Sequence, residues 1–227
     1  MLLRRLLITA AVILVLLFAA DRGGVYIAES VAADSLKNSQ HLSSRPDVDI
    51  AGFPFLTQLA SGNFDQITVD AKGVPVGGSA KELNLARLHV VLHGVSVNRS
   101  FSRVHADRAT ATAHVDYDDL GRALGVKLAY AGSGRVRTTA SITVLGRTVS
   151  GTITARPEVH GVSLGFGGTQ VPGGALGADV VRGLQKVFAA EIPFGNMPFQ
   201  VRIESLQATP GGLELRLSGQ DLVYVKS

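Results

Sequence analysis

The period of hydrophobic positions changes along the 227-residue chain, and those changes mark out its elements. Leu6 to Ala20 is an apolar run interrupted only by Thr9, with Arg4 and Arg5 before it. Counting Leu2 and Leu3, it approaches the lower length limit for crossing a bilayer, and the arginine pair would hold its start in the cytoplasm with the rest of the chain outside. It reads as an export signal or a retained anchor. Cleavage would follow Ala20, but Phe18 stands where a small side chain is expected, which favours retention. After it, Ile27, Val31 and Leu36 recur at helical spacing, predicting one amphipathic helix over Ile27–Leu42 that leads to Arg45-Pro46.

From Phe64 onwards the period becomes two. Val136, Thr138, Ala140, Ile142 and Val144 alternate with polar neighbours, and Val149, Gly151, Ile153 and Ala155 repeat the pattern after a short turn at Leu145-Gly146-Arg147. This predicts a hairpin with one dry and one wet face. Leu88, Val90 and Leu92 shift phase at Gly94 to Val95 and Val97, as a bulge would make them do. Further strands are expected at Ala109–Val115, Val162–Phe166, Phe199–Ile203 and Leu213–Leu217. Two helical interruptions appear: a short one over Asp116–Leu124 with acidic residues in its first turn, and a longer stripe of Val180, Leu184, Val187, Phe188 and Ile192 from Leu176 to Ile192, stopped by Pro193. A glycine-rich loop, residues 165–177, precedes the second. Together these elements predict an α+β fold, a long curved antiparallel sheet wrapped around amphipathic helices to leave a tube. The dry face uses Ala109, Ala111, Ala113, Gly151 and Ala155, so either the helices approach closely or something else fills the space. Residues 1–24 are read as signal or anchor and 25–227 as a single domain.

The stretch Ile50–Val69 joins the two regimes. Phe53, Phe55 and Phe64 fall within it, and Pro54 pushes Phe53 towards an extended conformation, so two rings are expected on an extended segment, as a core anchor or lining a ligand cavity.

Composition narrows the function. Lys plus Arg number 22 against 18 acidic residues, a net charge of +4, and Arg4 and Arg5 account for two of the positive charges. The rest is too mildly basic for a nucleic-acid footprint. The absence of cysteine excludes disulfides and thiolate metal sites. Gly161-Val162-Ser163-Leu164-Gly165 matches the G-x-S-x-G nucleophile pattern, but the alternation runs straight through Ser163 and more glycines follow instead of a helix. His89 and His93 lie on a strand, about 13 Å apart, too far for one metal. His105 and Asp107 lack a third partner, Asp118-Asp119 reads as a helix start, and Asn98-Arg99-Ser100 is a formal glycosylation sequon. No catalytic residue, metal site or cofactor is expected.

Gly52-Phe53-Pro54-Phe55-Leu56-Thr57-Gln58-Leu59, followed by Gly62 and Phe64, resembles the opening of the actinobacterial envelope family named after the lipomannan elongation factor. The similarity continues through His93-Gly94-Val95 and Asp119-Leu120-Gly121 to Gly211-Gly212-Leu213 and Gly219, over roughly residues 25–225. One departure is Ile192–Pro198, a reduced form of the family's proline-rich segment. The resemblance implies a non-enzymatic, tubular phospholipid-binding protein, exported or membrane-anchored, that holds or transfers an anionic, phosphoinositide-type lipid in support of lipoglycan assembly. It implies a phospholipid or glycolipid and the membrane as partners, with envelope glycosyltransferases as further candidates and no nucleic acid. Burying an acyl chain of about 16 methylenes would contribute on the order of 10 kcal/mol before ordering costs, so apolar burial would dominate affinity. Phe53, Phe55, Leu56, Val187, Phe188 and Ile192 are the expected lining residues, with Arg135 or Arg137 near an anionic headgroup. A scaffold that docks membrane enzymes and a lipid esterase are the alternatives.

Overall fold

The computed structural model describes residues 2–76, 83–100, 102–144, 147–161, 163–171, 182, 186–189, 192–193 and 201–225. Among them are helices α1 (Leu2–Ser39), α2 (Phe55–Ser61) and α3 (Tyr117–Leu124). The strands are β1 (Asp47–Ala51), β2 (Asn63–Ala71), β3 (Val74–Val76), β4 (Leu83–Leu85), β5 (Arg87–Val97), β6 (Arg103–Val115), β7 (Ala129–Gly132), β8 (Arg135–Val144), β9 (Arg147–His160), β10 (Ser163–Gln170), β11 (Ile192–Pro193), β12 (Val201–Thr209) and β13 (Gly212–Val225). The architecture is α+β. Six strands pair in the order β1-β2-β5-β6-β13-β12 in a sheet that does not close, five in the order β11-β10-β9-β8-β7, and β3 pairs with β4. The chain divides into two compact units, Met1–Ala71 with Val90–Ala109 and Gln220–Ser227, and Lys72–His89 with Thr110–Gly219.

In the first unit, the apolar run and the amphipathic segment expected after it form one uninterrupted helix, so α1 passes through the expected boundary at residue 24. Gly24 shows why glycine is tolerated inside it: a Cβ there would lie 3.3 Å from the Leu56 side chain and 3.4 Å from the Phe55 ring, and α2 packs at that closeness. Polar side chains of α1 fasten the rest of the unit. Glu29 accepts a hydrogen bond from Ile50 N at 2.9 Å, satisfying a donor on the edge strand β1. Arg45 pairs with Asp34 at 2.8 Å and donates to the Ser30 carbonyl at 2.9 Å. Strand β1 lies antiparallel to β2, with Asp47 opposite Asp70 and Ala51 opposite Gln66. Gly94 interrupts β5 at φ +60°, where the phase shift places the bulge, and a Cβ there would collide with the Asp107 carboxylate.

Phe55 departs from the sequence-based expectation. It opens α2 instead of continuing an extended segment, because Pro54 holds the extended N-cap conformation and Gly62, at φ +70°, ends the helix.

The second unit is built on the expected hairpin. β8 and β9 pair from Val136 opposite Ala155 to Val144 opposite Arg147, and the turn residues 145–146 lie outside the described residues. Val136, Ile153 and Ala155 are fully buried and cluster with Leu120, Val115, Leu164, Phe166, Phe188 and Leu213. The small dry-face residues Ala113 and Ala155 are thus met by aromatic and leucine side chains. The expected helix Leu176–Ile192 lies largely outside the described residues; within them, Lys186–Ala189 is a 3-10 turn and Ile192 is paired with Leu164 as part of β11. Pro193 biases the residue before it to extended backbone, which suits pairing against β10 and opposes a helix there.

The predicted short helix forms as α3, with Asp116 at its N-cap and Asp118 and Asp119 in its first turn. Tyr117 Oη donates to the Thr209 carbonyl at 2.6 Å, tying α3 to the end of β12. Burial, and then the neighbouring Tyr130, pushes the Tyr117 hydroxyl up from 10.0 to about 12. The folded state therefore favours the protonated phenol, and the stability this confers is complete below the unfolded pKa of 10.0 and is lost as pH rises towards 12. Tyr117→Phe should cost about 1 kcal/mol at neutral pH. Denaturant titrations of both proteins between pH 9.5 and roughly 12 should converge as pH rises; a gap that stays constant would show that the phenol does not contribute in this way.

Candidate lipid-binding sites

In the first unit, Asp21 of α1 is 3% exposed and its Oδ1 accepts from Leu56 N at 2.9 Å. Pro54, the N-cap residue of α2, offers no side-chain cap, so a carboxylate from another helix supplies the acceptor that a short helix N-terminus needs. Arg22 balances it, with Nη2 2.5 Å from Asp21 Oδ2, and its guanidinium carbon lies 5.5 Å from the centre of the Phe53 ring. Phe53 is in turn 6.0 Å from the Phe18 ring and remains 63% exposed. Leu56 and Leu59 are partly exposed along α2, whereas Phe55 is buried against Phe64, ring centres 6.3 Å apart, and faces no open space.

The second unit holds an open cleft of about 830 Å³ lined by Val126, Lys127, Leu128 and Ala129 on one stretch and by Arg137, Thr138, Thr139, Ser141 and Thr152 of the β8–β9 hairpin, with Gly125. Its volume lies within the range of small-molecule sites. Arg137, Thr139 and Ser141 alternate along β8 and so share a face, and Thr152 stands opposite Thr139. Lys127 and Arg137 are both exposed, which leaves their cationic ends accessible to a ligand. Thr138, 2% exposed, has a hydroxyl with no hydrogen-bond partner among the described residues. A second hollow of about 490 Å³ uses Gly125–Leu128 as well, with Tyr117, Asp118, Gly121 and Arg122 of α3.

Of the expected lining residues with described side chains, Phe53, Phe55, Leu56 and Phe188, none belongs to the larger cleft. Phe53, Phe55 and Leu56 are in the first unit and Val187, Phe188 and Ile192 in the second. Phe188 is 3% exposed, its ring 5.0 Å from Phe166, while the side chains of Val187 and Ile192 lie outside the described residues. Arg135 donates to the Gly168 carbonyl at 2.9 Å, so of the two candidate headgroup arginines it is Arg137 that reaches the cleft. Lys127 carried no signal in the sequence, because it lies in the connection after α3 and only the fold brings it beside β8.

The remaining motifs resolve simply. Ser163 begins strand β10, paired with His160, and strand runs on to Gln170, so no strand-to-helix elbow follows it; Val162 lies outside the described residues. His89 and His93 both sit on β5. His105 Nδ1 is 3.7 Å from Asp107 Oδ1, and no group of three metal-ligating side chains occurs among the described residues. Asn98 closes its own loop: Oδ1 accepts from Ser102 N and Arg103 N, and Nδ2 donates to Ser100 and Ser102.

No curated protein and no solved structure matches the chain. The family model for LmeA-like phospholipid-binding proteins matches residues 19–218, which take in α1 from Phe18's neighbour Ala19 onward, the Asp21-capped corner and the whole cleft. The chain belongs to the LmeA-like phospholipid-binding family.

Proposed function

We propose that the chain is a membrane-anchored, outward-facing protein that holds or transfers an anionic, phosphoinositide-type phospholipid and so serves lipoglycan assembly in the cell envelope. The observation that carries this reading is the mixed lining of the cleft in the second unit. Lys127 and Arg137 supply two cations, Thr139, Ser141 and Thr152 supply hydroxyl donors, and Val126, Leu128 and Ala129 supply an apolar wall. A guanidinium fork and an ammonium beside hydroxyls suit a phosphodiester headgroup, while adjoining apolar surface suits the first part of an acyl chain. Val187, Phe188 and Ile192, in the segment beside β10, are assigned to further acyl contacts. Retention of the anchor is supported by the burial of Asp21: a cut after Ala20 would place a new amino terminus on a carboxylate that caps α2.

The test is mass spectrometry of organic extracts from the full-length protein, purified from its own host in a mild detergent. A stoichiometric anionic phospholipid is the expected result. A protein that is empty and takes up no added lipid would instead favour the scaffold that docks membrane enzymes. In a lipid-loading assay, the double variant Lys127→Glu, Arg137→Glu should bind anionic phospholipid about tenfold more weakly, roughly 1.4 kcal/mol, with neutral phospholipid little affected. Equal loss for both lipids would remove the headgroup role of these cations.

A further inference from the structure

We infer that the corner formed by Phe53, Leu56 and Leu59 is a membrane-docking element, seated in the interfacial layer of the same bilayer that α1 crosses. The inference rests on the proposal that α1 is a retained anchor. Leu6 to Ala20, the apolar part of α1, rises about 22 Å at 1.5 Å per residue, and Arg4 and Arg5, reaching back to the inner headgroups along their apolar stems, bring it towards the roughly 30 Å of hydrocarbon in a bilayer. Asp21 and Arg22 then fall at the outer boundary. The first unit presents its corner at that level: the Phe53 ring touches Phe18, the Arg22 guanidinium stacks on Phe53, and the backbone of Leu56 is hydrogen-bonded to Asp21. No spacer separates span from domain, because α1 continues as helix to Ser39.

The chemistry of the corner matches that depth. Phe53 is 63% exposed, Leu56 41% and Leu59 40%, which in water would leave apolar surface unburied on a segment whose other ring, Phe55, is packed away. Leu56 and Leu59 are three apart on α2 and so share a face. Arg22 keeps 40% of its side chain exposed and stands where phosphate groups of the outer leaflet lie, with its stem along apolar surface. Apolar rings backed by one cation are the composition of an interfacial contact. Phe53 and Leu56 are thus assigned to the bilayer surface, which sets the first unit against the outer leaflet.

The chain contains no tryptophan, so single-tryptophan variants of the full-length protein report depth without background. F53W, L56W, L14W and V31W would be reconstituted in phosphatidylcholine vesicles carrying bromine either near the headgroup or near the acyl terminus. Val31 is exposed on α1 about 15 Å beyond Asp21 and serves as the water-side reference. The expected result is quenching of F53W and L56W by headgroup-proximal bromine several-fold above V31W, with L14W quenched best by bromine at the acyl terminus. If L14W is quenched while F53W and L56W match V31W, the anchor stands and the docking inference fails. An L14W that escapes quenching overturns the anchor and the docking with it. A blue-shifted F53W that bromine does not quench would seat the corner on protein, a second copy included, and also overturns the inference.

Discussion

Asp21→Ala is expected to lower the thermal midpoint of the first unit by several degrees, because it removes the acceptor that caps α2 at Leu56 N and the carboxylate that pairs with Arg22. The residue is 3% exposed where α1 meets α2, accepts from Leu56 N and pairs with Arg22, so one carboxylate serves both helices. Asp21→Asn keeps one acceptor oxygen for Leu56 N and gives up the charge towards Arg22, so it should fall between native and alanine. Thermal melts in detergent micelles, with limited proteolysis across residues 52–62, would read this directly: cleavage in α2 should rise sharply for the alanine variant. An alanine variant with the native midpoint and the native cleavage pattern would mean that packing of Phe55 at Gly24 holds α2 without the cap. The consequence reaches function, because the same carboxylate fixes the level at which Phe53 and Leu56 stand relative to the apolar run.

Gly212→Ala should destabilise the second unit by about 3 kcal/mol or more. Gly212 opens β13 at φ +152°, a region that side chains rarely enter, and a Cβ there would overlap the Val115 carbonyl oxygen and sit 3.0 Å from His114 Nε2. Backbone cannot yield as a flexible side chain can. The surrounding turn is already committed, since Thr209 Oγ1 donates to the Gly212 carbonyl at 2.9 Å and Tyr117 holds the Thr209 carbonyl. Gly125→Ala is the matched control: φ is +72° there, but a Cβ would meet nothing within 4 Å, so only the left-handed backbone cost of about 1 to 2 kcal/mol applies. Chemical denaturation of the two variants should separate them by at least about 1 kcal/mol. Equal losses would show that the turn shifts to accommodate the methyl group.

Much of the secondary structure was legible because its causes are local. The alternation in 135–155 specified the β8–β9 hairpin and its dry face, since a shift of one residue would send Val136 and Ile153 to solvent. The phase slip at Gly94 and the acidic start of α3 were likewise written in short stretches. The helix α2 was not anticipated, although Pro54 before it and Gly62 after it are its signals, because seven residues are too few for periodicity to speak and its cap comes from Asp21, far away in sequence. Ile192 was expected on a helix and stands in a strand because a partner strand, β10, was available to it.

Function divides along the same line. The change from helical to two-residue hydrophobic period determined the α+β class, and the GFPFLTQL stretch pointed to the phospholipid-binding family, because pattern and motif need no knowledge of distant neighbours. Tertiary structure decided which of those residues share a surface. Phe53 and Phe55 are two positions apart in sequence, yet one ring lies exposed beside Phe18 and the other is closed against Phe64, since the chain passes at Pro54 from extended backbone into α2. Lys127 and Arg137 meet across the cleft only because α3 ends at Gly125 and the chain then pairs as β7 with β8. Side-chain direction depends on how elements pack, and packing is set by contacts distant in the chain, which a local pattern cannot express.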